Sequence, residues 1–328
     1  MPTATTPPLS SRHAPARPIR VGVVGAGHVG ATFAYTLLWS GLANEVILID
    51  KAHRRAEGEA MDLLHATPFL PPARVAAGDY DDLEGAQVVL IAAGVSQRPG
   101  ETRHDLLRRN ADVFREIVPA VTDRARSAIL LVATNPVDVL TYAAWRLSGM
   151  RREQVIGSGT VLDTARFRTL IADHFHVDAR SVHAHILGEH GDSEVPIWSL
   201  ANMAGLKLRE YCERYGEDCR PEVLDDIFRR TRDAAYEIIE RKGATHYAVA
   251  AGLVRIVEAI VRDEHSVLPV STLLDGPYGF HDVCLSVPCL VGARGIERVL
   301  ELPLSDDEQG ALARSAAVLQ ESIRAMAL

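Results

Sequence analysis

The sequence has few cysteines, and their spacing predicts no crosslink. Cys212, Cys219, Cys284 and Cys289 are the only four in 328 residues, and no two of them form a CxxC pair. A disulfide framework needs a denser set of cysteines, and a zinc site usually needs closely spaced ligand pairs. We therefore expect free thiols in a reducing compartment, with no disulfide and no bound metal.

The sequence also lacks an excess of positive charge. Lys and Arg total 35 against 43 Asp and Glu, which gives a formal net charge of −8 at pH 7. Proteins that bind nucleic acid backbones or anionic lipid surfaces present clustered Lys and Arg. Nucleic acids and membranes are therefore not expected as partners.

Long apolar runs are absent as well. No stretch approaches the ~18 apolar residues of a membrane-spanning helix, and the first twenty residues lack the apolar core of a secretory signal. Residues 1–18 are rich in Pro, Ser, Thr and Ala and contain no acid, which leaves an organelle transit segment open as an alternative. Because the prolines oppose an amphipathic helix, we favour a disordered tail and a cytoplasmic protein.

What the sequence does contain is the pattern of a two-domain α/β protein. Its 47% hydrophobic and 24% charged residues are a globular composition, and 328 residues exceed the usual size of one domain. From residue 19 to 157, short apolar runs alternate with helical stretches, which predicts a doubly wound parallel sheet of the Rossmann type. The runs are IRVGVV, EVILID, ARVAA, AQVVLIAAG and AILLVATN.

The pattern changes in the second half of the chain. Residues 161–175 and 222–262 have the three- and four-residue apolar spacing of helices, and strand-like runs follow near 265–290. These features predict a second, mixed α+β domain over residues 158–328. It ends in an amphipathic helix for which Ser305, followed by acidic residues, is the predicted N-cap.

A glycine motif follows the first predicted strand. Gly25, Gly27 and Gly30 lie at the start of a helix, where glycines allow a tight turn and let a pyrophosphate approach the helix N-terminus. The motif alone could be only a turn, but Asp50 ends the next predicted strand, about twenty residues further on. The combination predicts a dinucleotide site, with residues 19–157 as its domain.

Asp50 also bears on the choice of cofactor. An acid at this position can bind both ribose hydroxyls and repels a 2′-phosphate, so NAD is expected rather than NADP. Lys51, Arg54 and Arg55 weaken that preference, since they are either a solvated helix start or a contact for an adenosine phosphate.

Two further segments carry groups suited to reducing a 2-keto acid. That reaction needs a cation for the carboxylate and a proton donor for the carbonyl oxygen. His190, in a glycine-flanked turn, is a candidate donor, although a single histidine is more often structural. Asp163 and Arg166 lie three residues apart on one face of a predicted helix, so they can orient the imidazole and bind the carboxylate. A surface ion pair is the alternative for these two residues.

A loop after the fourth predicted strand supplies one more cation. Pro99 and Gly100 within it are typical of a hinged lid. Arg103 would then enter the closed site and stabilise charge on the carbonyl oxygen, an effect that the exclusion of water strengthens. Without this context, a loop arginine would usually be solvated.

Together these segments resemble the L-lactate dehydrogenases of the lactate/malate dehydrogenase family. The matching motifs occur in order from about residue 20 to the C-terminus, and such an ordered set is more specific than any one motif. They are AGAGHVG, the loop from Gln97 to Arg103, ATNPVD, GSGTVLDTARFR, GEHGDSE and KGAT. The resemblance implies an NAD-dependent enzyme that reduces pyruvate to (S)-lactate, the last step of homolactic fermentation.

The resemblance also implies residue roles and a cis bond between Asn135 and Pro136. For this chain, the catalytic residues would be His190, Asp163 and Arg103. Its substrate-binding residues would be Gln97, Arg103, Asn135, Arg166 and Thr245. Its NAD-binding residues would be Gly25, Gly27, Val29, Gly30, Asp50, Arg55, Tyr80, Gly94, Val95, Ala133, Asn135 and Ser158.

Gln97 bears on the substrate. Malate dehydrogenases have Arg there, because a dicarboxylate brings a second negative charge that a guanidinium can pair. A neutral Gln97 favours pyruvate, with Thr245 lining the methyl side, although the neighbouring Arg98 keeps malate open. His104 and His246 stand where the family usually has Leu and an aromatic residue, so a bulkier 2-keto acid also stays open. The fold alone does not exclude an NAD-binding protein without turnover.

Arg168 needs a partner other than the substrate, because a helix turns ~100° per residue and directs it away from Arg166. In bacterial members activated by fructose 1,6-bisphosphate, the counterparts of Arg168 and His183 bind that sugar phosphate between subunits. The resemblance therefore implies an allosteric homotetramer. A helix-surface arginine and a strand histidine without this role are the alternative.

Overall fold

The computed structural model of the chain describes residues 18–95 and 103–326. The tail predicted at residues 1–18 lies outside these ranges except for its last residue. Gln97 and Arg98 also lie outside them.

The first half of the described chain forms the parallel part of a large sheet. Its strands are β1 (Arg20–Val24), β2 (Glu45–Ile49), β3 (Arg74–Ala77), β4 (Val88–Ile91), β5 (Ile129–Val132) and β6 (Val155–Gly157). They lie in the order β3-β2-β1-β4-β5-β6 and all pair in parallel. Each of the five predicted apolar runs contains one of β1 to β5. Most residues of β1, β2, β4 and β5 are buried, as strands covered on both faces require, whereas the outermost strand of this part, β3, has one buried residue.

Helices connect these strands and cover the sheet. They are α1 (His28–Ser40), α2 (His53–Ala66), α3 (Arg103–Arg124) and α4 (Val137–Ser148). The chain order reverses between β1 and β4, which is the switch point where a doubly wound fold binds its ligand. The predicted α/β fold class is confirmed.

The second half is mixed, as predicted. Its elements are α5 (Val161–His174), β7 (Val182–His183), β8 (Ile186–Leu187), β9 (Val195–Pro196), β10 (Asn202–Met203), β11 (Leu206–Lys207), α6 (Leu208–Tyr215), α7 (Pro221–Lys242), α8 (Tyr247–Val261), β12 (Ser266–Asp275), β13 (His281–Gly292), β14 (Gly295–Val299) and α9 (Asp306–Met326). The helical pattern predicted over 222–262 is divided into α7 and α8 at Gly243, whose φ is +84°. β12 pairs with β6, so β12, β13 and β14 extend the first sheet in antiparallel fashion.

The predicted cap of the last helix is confirmed. The Ser305 hydroxyl accepts the backbone N–H of Glu308 at 3.3 Å, and the Glu308 carboxylate accepts the backbone N–H of Ser305 at 2.9 Å. This reciprocal pair is a capping box. The same carboxylate accepts the hydroxyl of Ser199 at 2.6 Å, so the cap also fixes α9 to the loop after β9.

The prediction of no disulfide is wrong for one cysteine pair. Cys212, on α6, and Cys219, just before α7, form a disulfide. The turn between the two helices brings their Cα atoms to 6.1 Å, and a separation of seven residues matches no motif that would signal it. Cys284 and Cys289 are free, as expected, and both are buried. No helix within the described residues is long and apolar enough to cross a bilayer.

Candidate active site

The glycine motif forms the turn between β1 and α1. Gly25 has a φ of +105°, and a Cβ there would lie 2.5 Å from the backbone nitrogen of Ala93. A Cβ on Gly30 would lie 1.9 Å from the carbonyl oxygen of Gly25. These two glycines therefore allow the turn itself and the close packing of α1 against the end of the strand.

Gly27 has a different environment. A Cβ at this residue would have no atom within 4 Å, so this part of the turn faces open space. Beside it, Asp50 follows β2, and its carboxylate accepts the backbone N–H of Ala26 at 2.8 Å. An open turn at a helix N-terminus favours a pyrophosphate, and a neighbouring carboxylate can accept ribose hydroxyls. The residues present fit NAD.

One cavity brings together residues that the sequence assigned to the cofactor and to the substrate. The predicted cofactor residues that line it are Val29, Ala133, Asn135 and Ser158. His190 and Thr245 line the same cavity, although they come from the second half of the chain. The bond between Asn135 and Pro136 is cis, as the resemblance implied.

The other predicted cofactor residues lie at the edge of the sheet. Arg55 is exposed in the first turn of α2, and Tyr80 is partly buried after β3. Gly94 and Val95 follow β4, where the backbone N–H of Val95 donates to Asn110 Oδ1 at 2.9 Å. Arg55, Tyr80, Gly94 and Val95 all follow parallel strands at the same edge as the glycine turn.

The predicted acid–base group forms a continuous chain of contacts. Asp163, on the first turn of α5, is buried and accepts from Arg166 Nη1 at 3.0 Å through one carboxylate oxygen. Its other oxygen lies 2.5 Å from Nδ1 of His190, in the turn after β8. Because Nδ1 is engaged by Asp163, Nε2 is left as the nitrogen that can reach a substrate.

The electrostatics of this group favour a protonated imidazole. Burial alone would lower the pKa of His190, but the charge and hydrogen bond of Asp163, together with the charge of Asp138, outweigh burial and raise it to about 9. Burial likewise opposes the charge on Asp163, yet His190 and Arg166 hold its pKa below the usual range. At neutral pH the histidine can therefore donate a proton while the aspartate stays ionised.

Sequence reasoning missed the role of Asp138. This buried residue in α4 accepts the backbone N–H of His190 at 2.8 Å and the hydroxyl of Ser286 at 3.0 Å. Burial raises the pKa of Asp138 to about 6. Asp138 belongs to the ATNPVD motif, so the sequence marked this segment as important. Nothing in the motif indicated that Asp138 contacts the turn that carries His190.

Glu194 was also missed. It lies four residues after His190 and is 6% exposed, and among the described residues no group bonds to its Oε1 atom. Burial, and then the charge of Asp163, raises the pKa of Glu194 to about 9. A neutral carboxyl here avoids placing a second negative charge beside Asp163.

Helix α9 supports the turn that carries His190. The Ser315 hydroxyl accepts the backbone N–H of Glu189 at 2.8 Å and lies 3.0 Å from the hydroxyl of Ser193. The C-terminal helix therefore holds both sides of this turn, although Ser315 is more than a hundred residues away in sequence.

The predicted lid lies largely outside the described residues. Gln97, Pro99 and Gly100 belong to the range that is not described. Arg103 begins α3, but its side chain is not among the described atoms. Their predicted contacts with the substrate stay predictions.

Arg168 is directed away from the substrate group, as the helix geometry required. Its Nε donates to the carbonyl oxygen of Ala184 at 2.9 Å, between His183 and His185. Burial, together with the charges of Arg168 and His183, lowers the pKa of His185 to about 4. The structure thus brings the two predicted effector residues together and adds a third basic side chain that the sequence analysis did not single out.

Two family models cover almost the whole chain. Residues 19–157 match the NAD binding domain of lactate/malate dehydrogenase, and residues 160–327 match the alpha/beta C-terminal domain of lactate/malate dehydrogenase.

Individual proteins match over nearly their full length. The L-lactate dehydrogenase of Acetivibrio thermocellus is 52% identical over 94% of this chain and 97% of its own, and that of Geobacillus kaustophilus is 50% identical over 92% and 95%. Among solved structures, MGS-M5, a lactate dehydrogenase from a Medee basin deep-sea metagenome library, aligns with a TM-score of 0.93 at 44% identity, covering 95% of this chain and all of that one. The minor L-lactate dehydrogenase of Enterococcus mundtii aligns with a TM-score of 0.92 at 41% identity, over 95% and 99%. The chain therefore belongs to the lactate/malate dehydrogenase family and carries its NAD-binding domain.

Proposed function

We propose that the protein is an L-lactate dehydrogenase that interconverts pyruvate and (S)-lactate. Asp163 bonds both to His190, which lines the cofactor cavity, and to Arg166. This arrangement supports the proposal most directly, because it couples a proton donor to a cation that can bind a carboxylate. Relatives about half identical to this chain bear that name, which favours lactate over malate as the substrate. In this role the enzyme would act in the cytoplasm, at the end of homolactic fermentation.

The proposed reaction follows from the position of each group and from what it can donate. NADH would supply a hydride to the carbonyl carbon of pyruvate. His190 Nε2 gives its proton to the carbonyl oxygen, so that an alcohol and a neutral imidazole result, while Asp163 stays ionised and holds the ring. Arg166 bonds to Asp163 through one nitrogen and has further N–H donors for the substrate carboxylate.

Arg103 and Gln97 would complete the site when the loop closes. Arg103 polarises the carbonyl, and the neutral Gln97 accommodates the methyl group of pyruvate beside Thr245 and Asn135. Malate dehydrogenase activity is the second candidate, because Arg98 adjoins Gln97.

The primary test is NADH oxidation followed by absorbance with pyruvate and, separately, with oxaloacetate. We expect pyruvate to be the faster substrate, and faster oxaloacetate turnover would assign malate instead. His190→Ala should reduce kcat by at least ~100-fold, the lower end for loss of a general acid. Gln97→Arg should shift preference toward oxaloacetate. A wild-type chain that binds NADH but turns over neither keto acid would identify an NAD-binding protein without this activity.

We further propose the division of the chain and its NAD contacts. Residues 19–157 would form the dinucleotide-binding domain and residues 158–328 the catalytic domain, consistent with the two family matches. The NAD contacts would be those proposed from the sequence, namely Gly25, Gly27, Val29, Gly30, Asp50, Arg55, Tyr80, Gly94, Val95, Ala133, Asn135 and Ser158. Among them, Asp50 would select NAD over NADP, so an Asp50→Ala variant should lose most of that preference in NADH and NADPH titrations.

Finally, we propose an allosteric homotetramer activated by fructose 1,6-bisphosphate. The cluster of Arg168, His183 and His185 supports this, because a ligand with two phosphates would offset their mutual repulsion. Light scattering should give the mass of four chains, and the sugar phosphate should lower the KM for pyruvate. Arg168→Gln should remove that response, whereas Arg180→Gln, a fully exposed control nearby, should keep it. An unresponsive wild-type enzyme would overturn the regulation and leave the catalytic proposal intact.

A further inference from the structure

Two histidines from distant parts of the chain stack beside residues that line the cofactor cavity. His28 is the first residue of α1, and His246 immediately precedes α8. Their ring centroids lie 5.5 Å apart with an interplanar angle of 23°. Val29, next to His28, and Thr245, next to His246, both line the cavity that holds His190. The stack therefore joins the glycine turn to the substrate wall of the same cavity.

The surroundings of the stack are basic. Lys242, at the end of α7, lies with its Nζ 4.0 Å from the ring centroid of Tyr247, and the Tyr247 ring contacts His246 at 4.3 Å. His246 Nδ1 is buried and has no bonding partner among the described residues. Burial, and then the charges of Lys242 and His28, lowers the pKa of His246 below its usual value. No carboxylate among the described residues offsets these basic groups through an ion pair to either histidine.

A bound anion would offset the positive charge around the two histidines. The turn at Gly27 is open, and the start of α1 presents backbone N–H groups and the positive end of a helix dipole. A pyrophosphate bound there would bring two negative charges beside the first residue of the helix, which is His28. Those charges would favour protonation of the stacked pair by offsetting Lys242.

We infer that the His28–His246 pair is an additional pyrophosphate contact that takes up a proton when the dinucleotide binds. The inference rests on the proposed binding of NAD at the glycine turn and assigns to that site a pH dependence of its own. The ligand class is a nucleoside diphosphate, whose bridging phosphates face the pair. By linkage, a group that gains proton affinity on binding makes the ligand bind more tightly as the pH falls.

The pH range in which this effect occurs distinguishes it from deprotonation of the catalytic His190. His246 begins from a lowered pKa, so its protonation on binding acts on the acidic side of neutrality. The pKa of His190, in the same cavity, is raised to about 9, so this residue stays protonated throughout that range. Among the described residues, Tyr247 and Lys242 are the other titratable groups that face the pair.

The test is NADH affinity as a function of pH, measured by fluorescence titration without substrate. We expect the Kd to fall about tenfold from pH 8 to pH 5.5, since one unit of pKa difference is a tenfold change in affinity. His28→Phe and His246→Phe keep an aromatic ring but no titrating group, so each should reduce that change to less than about twofold. His281→Phe, at an exposed histidine of β13, should retain the full change.

Two further measurements keep the outcome clear if a variant folds poorly. Calorimetric titration of the wild-type chain in two buffers of different ionisation enthalpy should show net proton uptake near pH 6.5. ADP-ribose, which has the pyrophosphate, should show the same pH dependence as NADH, and AMP should not.

A pH-independent Kd without proton uptake, or an unchanged pH dependence in both Phe variants, would overturn the inference. Equal dependence with AMP would overturn the pyrophosphate assignment. Absence of NADH binding at every pH would instead contradict the proposed cofactor site itself.

Discussion

The properties of His190 come from neighbours that are distant in sequence. Asp163 contributes from α5 and Asp138 from α4, and both carboxylates raise the pKa of the imidazole against the effect of burial. Asp138 also holds the backbone of His190, so the same residue sets position and charge. A histidine with an ordinary pKa near 6.5 would be only about one tenth protonated at pH 7.5, so few molecules would hold the proton to be donated.

This electrostatic arrangement predicts the pH profile of pyruvate reduction. In the wild-type chain, kcat/KM should be level at neutral pH and fall as the pH rises through about 9, where His190 loses its proton. Asp163→Asn removes the largest of the charges that raise this pKa, so the decline should move to lower pH and kcat at pH 7.5 should drop by ~100-fold or more.

Asp173→Asn is the matched control, because it removes an exposed carboxylate from the same helix. It should leave the profile unchanged. A decline at the same pH in Asp163→Asn as in the wild type would contradict the assigned source of the raised pKa.

At the level of elements, short turns and helix ends position the site. The glycine turn sets α1 against β1, and the turn after β8 is held by Asp138 on one side and by Ser315 of α9 on the other. Neither turn makes these contacts alone, because each depends on an element that packs against it from another part of the chain.

The glycine turn predicts opposite outcomes for two similar substitutions. Gly30→Ala would place a Cβ 1.9 Å from a backbone oxygen, so it should lower the free energy of unfolding by about 2 kcal/mol or more. Gly27→Ala meets no protein atom within 4 Å, so stability should change by less than ~1 kcal/mol while NADH binds at least ~10-fold more weakly. Urea unfolding and NADH titration of both variants check this pair. Equal stability losses would show that Gly27 is also a packing position.

The cap of α9 predicts a pH-dependent loss of stability. Glu308→Ala removes a carboxylate that accepts from Ser199 and Ser305, which should cost about 2 kcal/mol at pH 7. The pKa of Glu308 is lowered in the folded chain by these hydrogen bonds, against a burial effect that would raise it. Its contribution is therefore present above the unfolded pKa of ~4.3 and is lost as the pH falls through the lower folded value.

Denaturation of the wild type and the variant at pH 7 and at pH 3 measures this difference. Asp307→Ala, at the exposed neighbouring residue, should cost much less at either pH. A difference that is the same size at both pH values would contradict the role of the charged carboxylate.

At the level of the whole molecule, one sheet joins both halves of the chain. β12 pairs with β6, and the cavity is lined by Val29 and Ala133 from the first half and by His190 and Thr245 from the second. A ligand in this cavity contacts both halves, so it should stabilise the chain as one unit.

Binding linkage predicts the size of that effect. NADH at 100 times its Kd should raise the free energy of unfolding by about 2.7 kcal/mol, provided that it binds only the folded chain. Calorimetric melting with and without NADH measures the shift, and Gly27→Ala at the same NADH concentration should show a smaller one. Two separate transitions, of which NADH shifts only one, would contradict unfolding as a single unit.

The sequence by itself determined the fold class, the glycine turn with Asp50, the cap at Ser305, and the candidate group of His190, Asp163 and Arg166. Each of these depends on local spacing or on a motif, because a strand, a turn, a cap or a helix face is specified by residues close together in the chain.

Only the tertiary structure decided that β12 continues the first sheet, that Cys212 reaches Cys219, and that Asp138, Glu194 and Ser315 surround the histidine turn. The stack of His28 on His246 likewise became visible only when α1 packed beside α8. Such contacts join residues up to more than two hundred positions apart. Burial, and with it the strength of each charge, is set by the packing of whole elements, which no local pattern encodes.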